Sequence, residues 1–462
     1  MQGFILAATF PIMGVTGVTI GIDVGCKSVK AVAVREDGTV VGRVRRQHRL
    51  MAEHAGELAN DAADAWHDGV REVVVQLLAG GDLEVAGVQV AAMVPSMCAV
   101  GEDGRPISAG LLYGDVRGAV GDEEIIDLSS AESGELVRFL GHLVRTHPEA
   151  AGYWPAQAVA NYALSGVGAI DLVTATTSVP LFDQSSWSPT VALSAGLDDL
   201  AKLPPIHPGN TPIGEVAIAG GAPLGPGTLD AYGELLVAHV VNPGDVLVIL
   251  GSTLVVWAVI DRWVEVDGLW TVPHAVRGKA LIGGPSNAGG LFVNWASNLI
   301  ADWGAAAPLE ADRVPVWQPY LWGERVPLHD PARRASLHDL DIGMGAAAAR
   351  RAAYEASGFA IRHQLDLAGL HPDRLVATGG GVHNQDWVQA IADATRIPVD
   401  VVEVPEGAAL GAAYLARVTA GLERNTEGVS RWSGTARRVR QNLEWVMPTE
   451  GRYHRYRGLV GC

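Results

Sequence analysis

The chain has 462 residues, 48% of them hydrophobic and 18% charged, and 34 basic against 51 acidic side chains give a net charge of −17. That is enough material for two large cores or three smaller ones, and so acidic a chain is excluded as a general nucleic-acid binder unless a basic patch stands apart. Three cysteines (Cys26, Cys98 and Cys462) without a CxxC pair exclude a disulfide framework and point to a reducing compartment.

Residues 1–13 are apolar, but they carry no basic flank and no small-residue cleavage site, and they are too short to span a bilayer. Met13 is an alternative start to Met1, and the expected location is cytoplasmic. The first strand is expected over residues 18–23 and a second, alternating one over 29–34, closed by the turn Asp37-Gly38. A third strand comes next, over 39–45. Helical spacing of Ala63, Ala65, Val70, Val73, Val74, Leu77 and Leu78 predicts a helix within 54–79, ended by Gly80-Gly81. Residues 88–93 read as another strand, and the whole as a mixed α/β domain.

A similar order recurs in the second half. The turn Asn242-Pro243-Gly244-Asp245 precedes a strand over 246–250, a break at Gly251-Ser252-Thr253 and a second strand over 254–260. A long helix is expected over 344–369 and a strand over 375–378, ending in Gly379-Gly380-Gly381. A helix near 386–395, a strand over 399–404 and a helix over 408–420 complete the pattern. Two related domains, 17–243 and 244–462, are therefore expected, with a helical tail from about residue 424. Arg431, Arg437, Arg438, Arg440, Arg452, Arg455 and Arg457 form the densest basic cluster, interleaved with Trp432, Trp445, Tyr453 and Tyr456. A docked C-terminal helix and a nucleic-acid patch both fit that pattern, and the docked helix is preferred.

The segment from Gly21 to Ser28 approaches the phosphate loop GxxxxGK[ST], with Cys26 in place of the second glycine. Residues 29–34, directly after it, alternate with period two, so the loop opens a strand and offers no helix N-terminus to phosphate, and the Walker reading fails. A glycine hairpin still presents successive N–H groups to anions. Lys27, Ser28 and Lys30 add donors, and Asp23 beside the loop suits Mg²⁺, which takes one or two carboxylates together with phosphate. An ordinary tight hairpin is the competing reading.

Asp23-x-Gly25-x-x-Ser28 resembles the first phosphate loop of the sugar kinase, Hsp70 and actin superfamily. Within it the chain resembles the FGGY carbohydrate kinases, xylulokinases in particular. Leu112-Tyr-Gly-Asp115-Val-Arg117 resembles the W-x-D-x-R segment, Leu203-Pro-Pro-Ile and Thr211-Pro-Ile-Gly-Glu-Val the stretch before the catalytic turn, and Gly227-Thr-Leu-Asp230-Ala the turn that carries the catalytic aspartate. Residues 244–253 resemble the second phosphate loop, residues 319–333 the C-terminal-domain signature, and Gly379-Gly-Gly-Val-His-Asn384, Asp386-Trp387 and residues 407–413 the nucleotide-side segments. The likeness is colinear from about residue 18 to 460.

The resemblance implies two RNase H-like, actin-like ATPase domains with a central cleft, the first binding sugar and the second nucleotide. It implies ATP and Mg²⁺ as cofactors, a small-molecule sugar or polyol as partner, no nucleic acid and no membrane. A homodimer is left open. Asp230 would be the general base and Asp23 the metal ligand. Gly25, Cys26, Lys27 and Ser28 would hold phosphate together with Gly251, Ser252 and Thr253, whose hydroxyls are swapped relative to the usual order, so which one touches phosphate stays open. Gly380, Gly381 and Asn384 would meet the nucleoside, and Asp115 and Arg117 would either bind sugar hydroxyls or form a structural ion pair. Trp322, Glu324 and Arg325 would brace the domains.

Cys26 replaces the usual threonine, and a thiol is a weaker hydrogen-bond partner than a hydroxyl. Met93, Val94 and Pro95 stand where xylulokinases typically read Q-M-H-G, so an imidazole contact to sugar is missing. The expected substrate is a ketopentose such as xylulose, with another pentulose or a sugar alcohol as alternatives. A non-catalytic sensor on the same fold is the rival of another class, and the presence of Asp230 speaks against it.

Overall fold

Valine and isoleucine fill the Val18–Val24 strand, all seven residues of which are buried, and this strand organises the first half of the chain. The computed structural model describes residues 17–52, 57–115, 117, 135–183, 185–273, 279–303, 308–330, 332–402, 407–432 and 434–461. They form two units, residues 1–237 with 406–432 and residues 238–405 with 433–462. Among the described residues, no helix is long and apolar enough to cross a membrane.

In the first unit Val18–Val24 pairs antiparallel with Ser28–Val34, which pairs antiparallel with Val40–Gln47. On its other side it runs parallel to Val85–Ala92. The seven-stranded sheet is extended by Ala222–Leu224 and Gly214–Val216, and the two-residue strand Thr228–Leu229 pairs with the end of Val85–Ala92. A smaller five-stranded sheet includes Ser96–Val100 and Gly110–Leu112. The helix expected within 54–79 starts later, with a wide π turn at Ala63–Asp68 leading into Gly69–Ala79. Asp61 sets this start, because its Oδ1 accepts the Asp64 N–H at 3.1 Å, and Ala59–Asn60 before it is a strand.

The helix Gly407–Thr419, expected in the second domain, packs on the sheet of the first unit. Its small residues are the reason. A Cβ on Gly21 would lie 1.8 Å from the Ala409 carbonyl oxygen, and one on Gly411 would lie 2.2 Å from that of Gly233. Only glycine at these two crossings lets the helix reach the strand and its neighbouring helix Asp230–Val237.

The second unit repeats the local topology. Val246–Leu250 pairs antiparallel with Leu254–Ile260 and parallel with Leu375–Thr378, at the centre of another seven-stranded sheet. The helices Ala346–Leu367 and Gln385–Thr395 match their expected spans. The strand expected over 399–404 is Val399–Val401, and residues 403–406 lie outside the described ones. Within 431–460 the chain forms the helix Leu443–Val460, docked through buried Tyr453 and Tyr456. Arg452 pairs with Glu355, Arg455 with Asp339 and Arg457 with Asp366, so these three arginines are committed to the fold's own carboxylates.

Candidate functional site

Strand register brings the first group of polar residues together. Asp23 stands opposite Lys30 in the antiparallel pair and opposite Ala91 in the parallel one, and Ala91 in turn faces Thr228. Asp230, two residues beyond Thr228, therefore emerges at the same sheet end as Asp23 and the Gly25–Ser28 turn. Residues that share that end come from three separated stretches of sequence. The Lys30 ammonium donates to Asp23 Oδ2 at 2.9 Å, and that carboxylate raises the lysine's pKa.

Asp230 opens the helix Asp230–Val237, and its Oδ1 accepts the Ala231 N–H at 2.7 Å. Burial, then the negative charge of Asp23, push its carboxyl up to about 7, against the opposing pull of Lys30. Cys26 is half-buried between these groups and Tyr113, its thiol 3.2 Å from the tyrosine hydroxyl. Burial and the nearby Asp230 and Asp23 charges raise it to about 11, so it is a neutral thiol at ordinary pH. Cys98 is fully buried and pushed further up by that burial, and Cys462 lies outside the described residues.

The turn itself is rigid. The Gly25 N–H donates to the Ser28 carbonyl at 3.1 Å, Lys27 is exposed, and buried Asn60 donates to the Cys26 carbonyl at 3.0 Å. The chain enters the strand Ser28–Val34 directly, as the failed Walker pattern requires. Met93 is buried and Val94 and Pro95 are half-buried just past the Val85–Ala92 strand. Asp115 and Arg117 form an ion pair at 2.6 Å, and Asp115 Oδ2 also accepts the Leu58 N–H at 2.7 Å.

In the second unit Ile249 stands opposite Thr378, so Gly251-Ser252-Thr253 and Gly379-Gly380-Gly381 leave adjacent parallel strands at the same end. The Gly251 N–H donates to the Thr253 carbonyl at 3.1 Å, and the Gly290 and Leu291 N–H groups hold the carbonyls of Gly251 and Ser252 at 2.9 Å each. Ser252 is the exposed hydroxyl of the pair. A Cβ on Gly379 would meet the Leu250 carbonyl oxygen at 2.9 Å, and one on Gly381 would meet the Trp387 ring at 2.5 Å. A Cβ on Gly380 would meet nothing within 4 Å, so this glycine alone of the three borders open space. Asn384 caps the helix Gln385–Thr395 through the Trp387 N–H at 3.1 Å and donates to the Tyr354 hydroxyl at 3.0 Å.

Glu324 is buried in the second unit, where it accepts from Ser286 Oγ at 2.9 Å and from the Asn287 N–H at 3.1 Å, and burial raises it to about 7. Trp322 beside it is exposed. Sequence reasoning did not single out Tyr113 beside Cys26, although it lies within the quoted segment 112–117. Nor did it single out the buried amides of Gln89, Gln157 and Asn161, whose signal is a polar residue inside an otherwise apolar run.

Each sheet end offers a setting that one of the expected cofactor groups could use. Asp23 stands beside a glycine turn, a setting in which one carboxylate could share Mg²⁺ with phosphate, and its Oδ2 accepts from Lys30 at 2.9 Å. Gly380 offers the open approach that a ribose or base needs.

The fold is the two-domain actin-like ATPase fold of the sugar kinases. A ligand-bound xylulose kinase from Lactobacillus acidophilus superposes with a TM-score of 0.82 at 19% identity, covering 96% of this chain and 98% of that one. In sequence the chain is 26% identical to a xylulose kinase of Klebsiella pneumoniae over 89% of this chain and 92% of the relative. It is 24% identical to a glycerol kinase of Symbiobacterium thermophilum over 96% of this chain and 97% of the relative. Residues 246–420 match the FGGY family of carbohydrate kinases, C-terminal domain, and the relatives that the chain resembles along most of its length are sugar and glycerol kinases.

Proposed function

We propose that this chain transfers the γ-phosphoryl group of Mg²⁺-ATP to a hydroxyl of a ketopentose such as xylulose, with Asp230 as the general base. The observation that carries the proposal is the strand register that sets Asp230 at the same sheet end as Asp23, Lys30 and the Gly25–Ser28 turn, where burial and Asp23 raise its carboxyl to about 7. A base poised near the working pH takes a hydroxyl proton most effectively. Asp230 is half-buried, so it keeps a face toward an incoming hydroxyl while most of its surroundings are protein.

Asp23 would hold the metal, and Lys30, 2.9 Å from its Oδ2, fixes that carboxylate in direction. The turn at Gly25–Ser28 and the turn at Gly251–Thr253 would hold phosphate oxygens through backbone N–H groups, helped by the exposed Ser252 hydroxyl. Gly380 would line the nucleoside, while Gly381, against Trp387 and Leu250, would hold the turn, and Asn384 would fix the helix beside it through its cap. When bound, Mg²⁺-ATP supplies the electrophilic phosphorus and neutralises charge on its oxygens. The chain's part is to orient the acceptor, take its proton at Asp230 and hold the phosphate contacts still.

Xylulose is supported by the relatives that carry that name. A sugar alcohol is the second reading, and the apolar pair Val94-Pro95 favours it: no imidazole is present there to satisfy a further sugar oxygen. A cytoplasmic setting suits the unpaired thiols Cys26 and Cys98. The deciding experiment is an ADP-release screen over ketopentoses, aldopentoses and polyols, run beside Asp230→Ala. Turnover that depends on one acceptor and is lost in the variant supports the reading. ATP hydrolysis independent of every acceptor, or full turnover in Asp230→Ala, overturns it.

A further inference from the structure

The turn that carries Asp230 is tied next to the aspartate by the two-residue strand Thr228–Leu229, paired with Ala91 and Ala92, and before that strand mainly by side chains. Between the strand Ala222–Leu224 and Asp230 runs Gly225-Pro226-Gly227-Thr228-Leu229, in which Pro226 has no N–H and Gly227 sits at a φ of +97°. The Gly225 N–H donates to the Val88 carbonyl at 3.0 Å. The next two carbonyls are taken by side chains. Asn161 Nδ2 donates to the Pro226 oxygen at 2.8 Å and Gln157 Nε2 to the same oxygen at 3.0 Å. Gln89 Nε2 donates to the Gly227 oxygen at 3.0 Å.

These three amides come from two rigid elements. Gln157 and Asn161 lie one turn apart on the helix Ala156–Ser165, and Gln89 lies within the strand Val85–Ala92. None is more than 1% exposed. Gln157 Nε2 also reaches Asp171 Oδ1 at 3.2 Å and Asn161 Nδ2 the Ala169 carbonyl at 2.8 Å, so their directions are fixed from a second side. The fit is close: a Cβ on Gly227 would lie 2.1 Å from Gln157 Nε2, and one on Gly225 would lie 1.6 Å from Gln89 Oε1. Among the described residues, the carbonyl oxygens of all three amides lack a hydrogen-bond partner. Buried acceptors left empty are a standing cost to a fold, so the donor ends are what these side chains contribute.

We infer that Gln89, Gln157 and Asn161 are positioning residues for phosphoryl transfer, a clamp of amides that holds the Pro226–Gly227 peptide and thereby aims the Asp230 carboxylate. The inference rests on Asp230 being the base. A neutral amide suits the task, because it fixes a carbonyl without adding charge beside a carboxyl already governed by Asp23 and Lys30, with Cys26 the further titratable group facing it. Methionine at these positions fills the space and loses the donor.

The test compares Gln157→Met, Gln89→Met and Asp230→Ala with the parent enzyme, using the acceptor found in the ADP-release screen. For each Met variant kcat is expected to fall about 10- to 100-fold, the cost of a base displaced by roughly an ångström, with KM for ATP unchanged. The acid limb of kcat is expected to move to lower pH, because a loosened turn admits water to the carboxyl and lowers its pKa. A Met variant that is less heat-stable but keeps parental kcat and the parental acid limb overturns the clamp. Should Gln157→Met fail to fold, Gln89→Met, which removes a single bond, decides alone on the same readings. Full turnover in Asp230→Ala instead strikes the assignment of the base, whatever the Met variants do.

Discussion

The Lys30 ammonium and the Asp23 carboxylate meet at 2.9 Å across directly opposed positions of an antiparallel strand pair, and both act on Asp230 with opposite signs. Asp23 makes proton loss from Asp230 harder and Lys30 makes it easier. The three side chains form one electrostatic unit, which register alone assembles.

The first prediction concerns pH. On the proposal that Asp230 is the base, a carboxyl near 7 works only when deprotonated, so kcat should fall as pH drops through about 7. Lys30→Met removes the charge that favours the carboxylate, so the Asp230 pKa rises and the limb moves to higher pH. The expected result is activity lost at pH 7 and largely recovered at pH 9, read from a pH–rate profile. A limb that stays put would separate Lys30 from the base.

The same carboxyl sets a dependence of stability on pH. Its folded pKa, about 7, lies above the ordinary 3.8, so its stabilising contribution is complete below about pH 4 and is lost as pH rises through 7. Asp230→Asn removes that loss. The variant should be more stable than the parent at pH 8 by about 2–3 kcal/mol, discounted for the residual exposure of the group, and nearly equal to it at pH 4. Denaturant titrations at the two pH values check this, and a gain that does not vary with pH would refute it.

Packing gives a third. Gly21 lies in the fully buried Val18–Val24 strand, where the helix Gly407–Thr419 crosses it. The 1.8 Å approach that a Cβ would make is to backbone oxygen, which has no rotamer by which to yield. Gly21→Ala should cost at least about 3 kcal/mol, at the upper end of overpacking effects, and reduce soluble yield. Thermal unfolding of the variant is the measurement, and a melting temperature within a degree of the parent's would contradict the crossing.

How much of this was legible in the sequence differs from residue to residue. Strand period placed Val18–Val24, Ser28–Val34 and Val246–Leu250 to within a residue or so, because their alternation and closing glycines are local signals. Asp23 stood out through its glycine turn at a strand end, whereas Asp230, which by spacing alone reads as a helix cap, stood out only through the resemblance of Gly227-Thr-Leu-Asp230-Ala to the kinase turn. The helix Gly407–Thr419 was legible as a helix, but which sheet it covers was not, since its small residues declare a close approach and say nothing of the partner. The late start of the helix at Ala63 turned on one Asp61 cap. Gln89, Gln157 and Asn161 stayed hidden for a related reason: a buried amide is defined by the carbonyl it holds, and those carbonyls lie 65 to 138 positions away.

The fourth prediction separates two adjacent glycines that sequence alone treats alike. Gly380 borders open space and its backbone φ is not among the positive ones, so Gly380→Ala should fold and melt like the parent. If that space receives the nucleoside, the added methyl group should raise KM for ATP about 10-fold while leaving the KM of the acceptor unchanged, the steric cost of a methyl in a binding surface being about 1–3 kcal/mol. Gly381→Ala places its methyl 2.5 Å from the Trp387 ring and 2.7 Å from the Leu250 side chain, inside the core. That variant should lose stability by about 1–3 kcal/mol, and any change in its KM would come from the displaced turn. Initial-rate kinetics and thermal melts on the two variants check the pair. A Gly380→Ala enzyme with parental KM for ATP would place the nucleoside elsewhere on the sheet end.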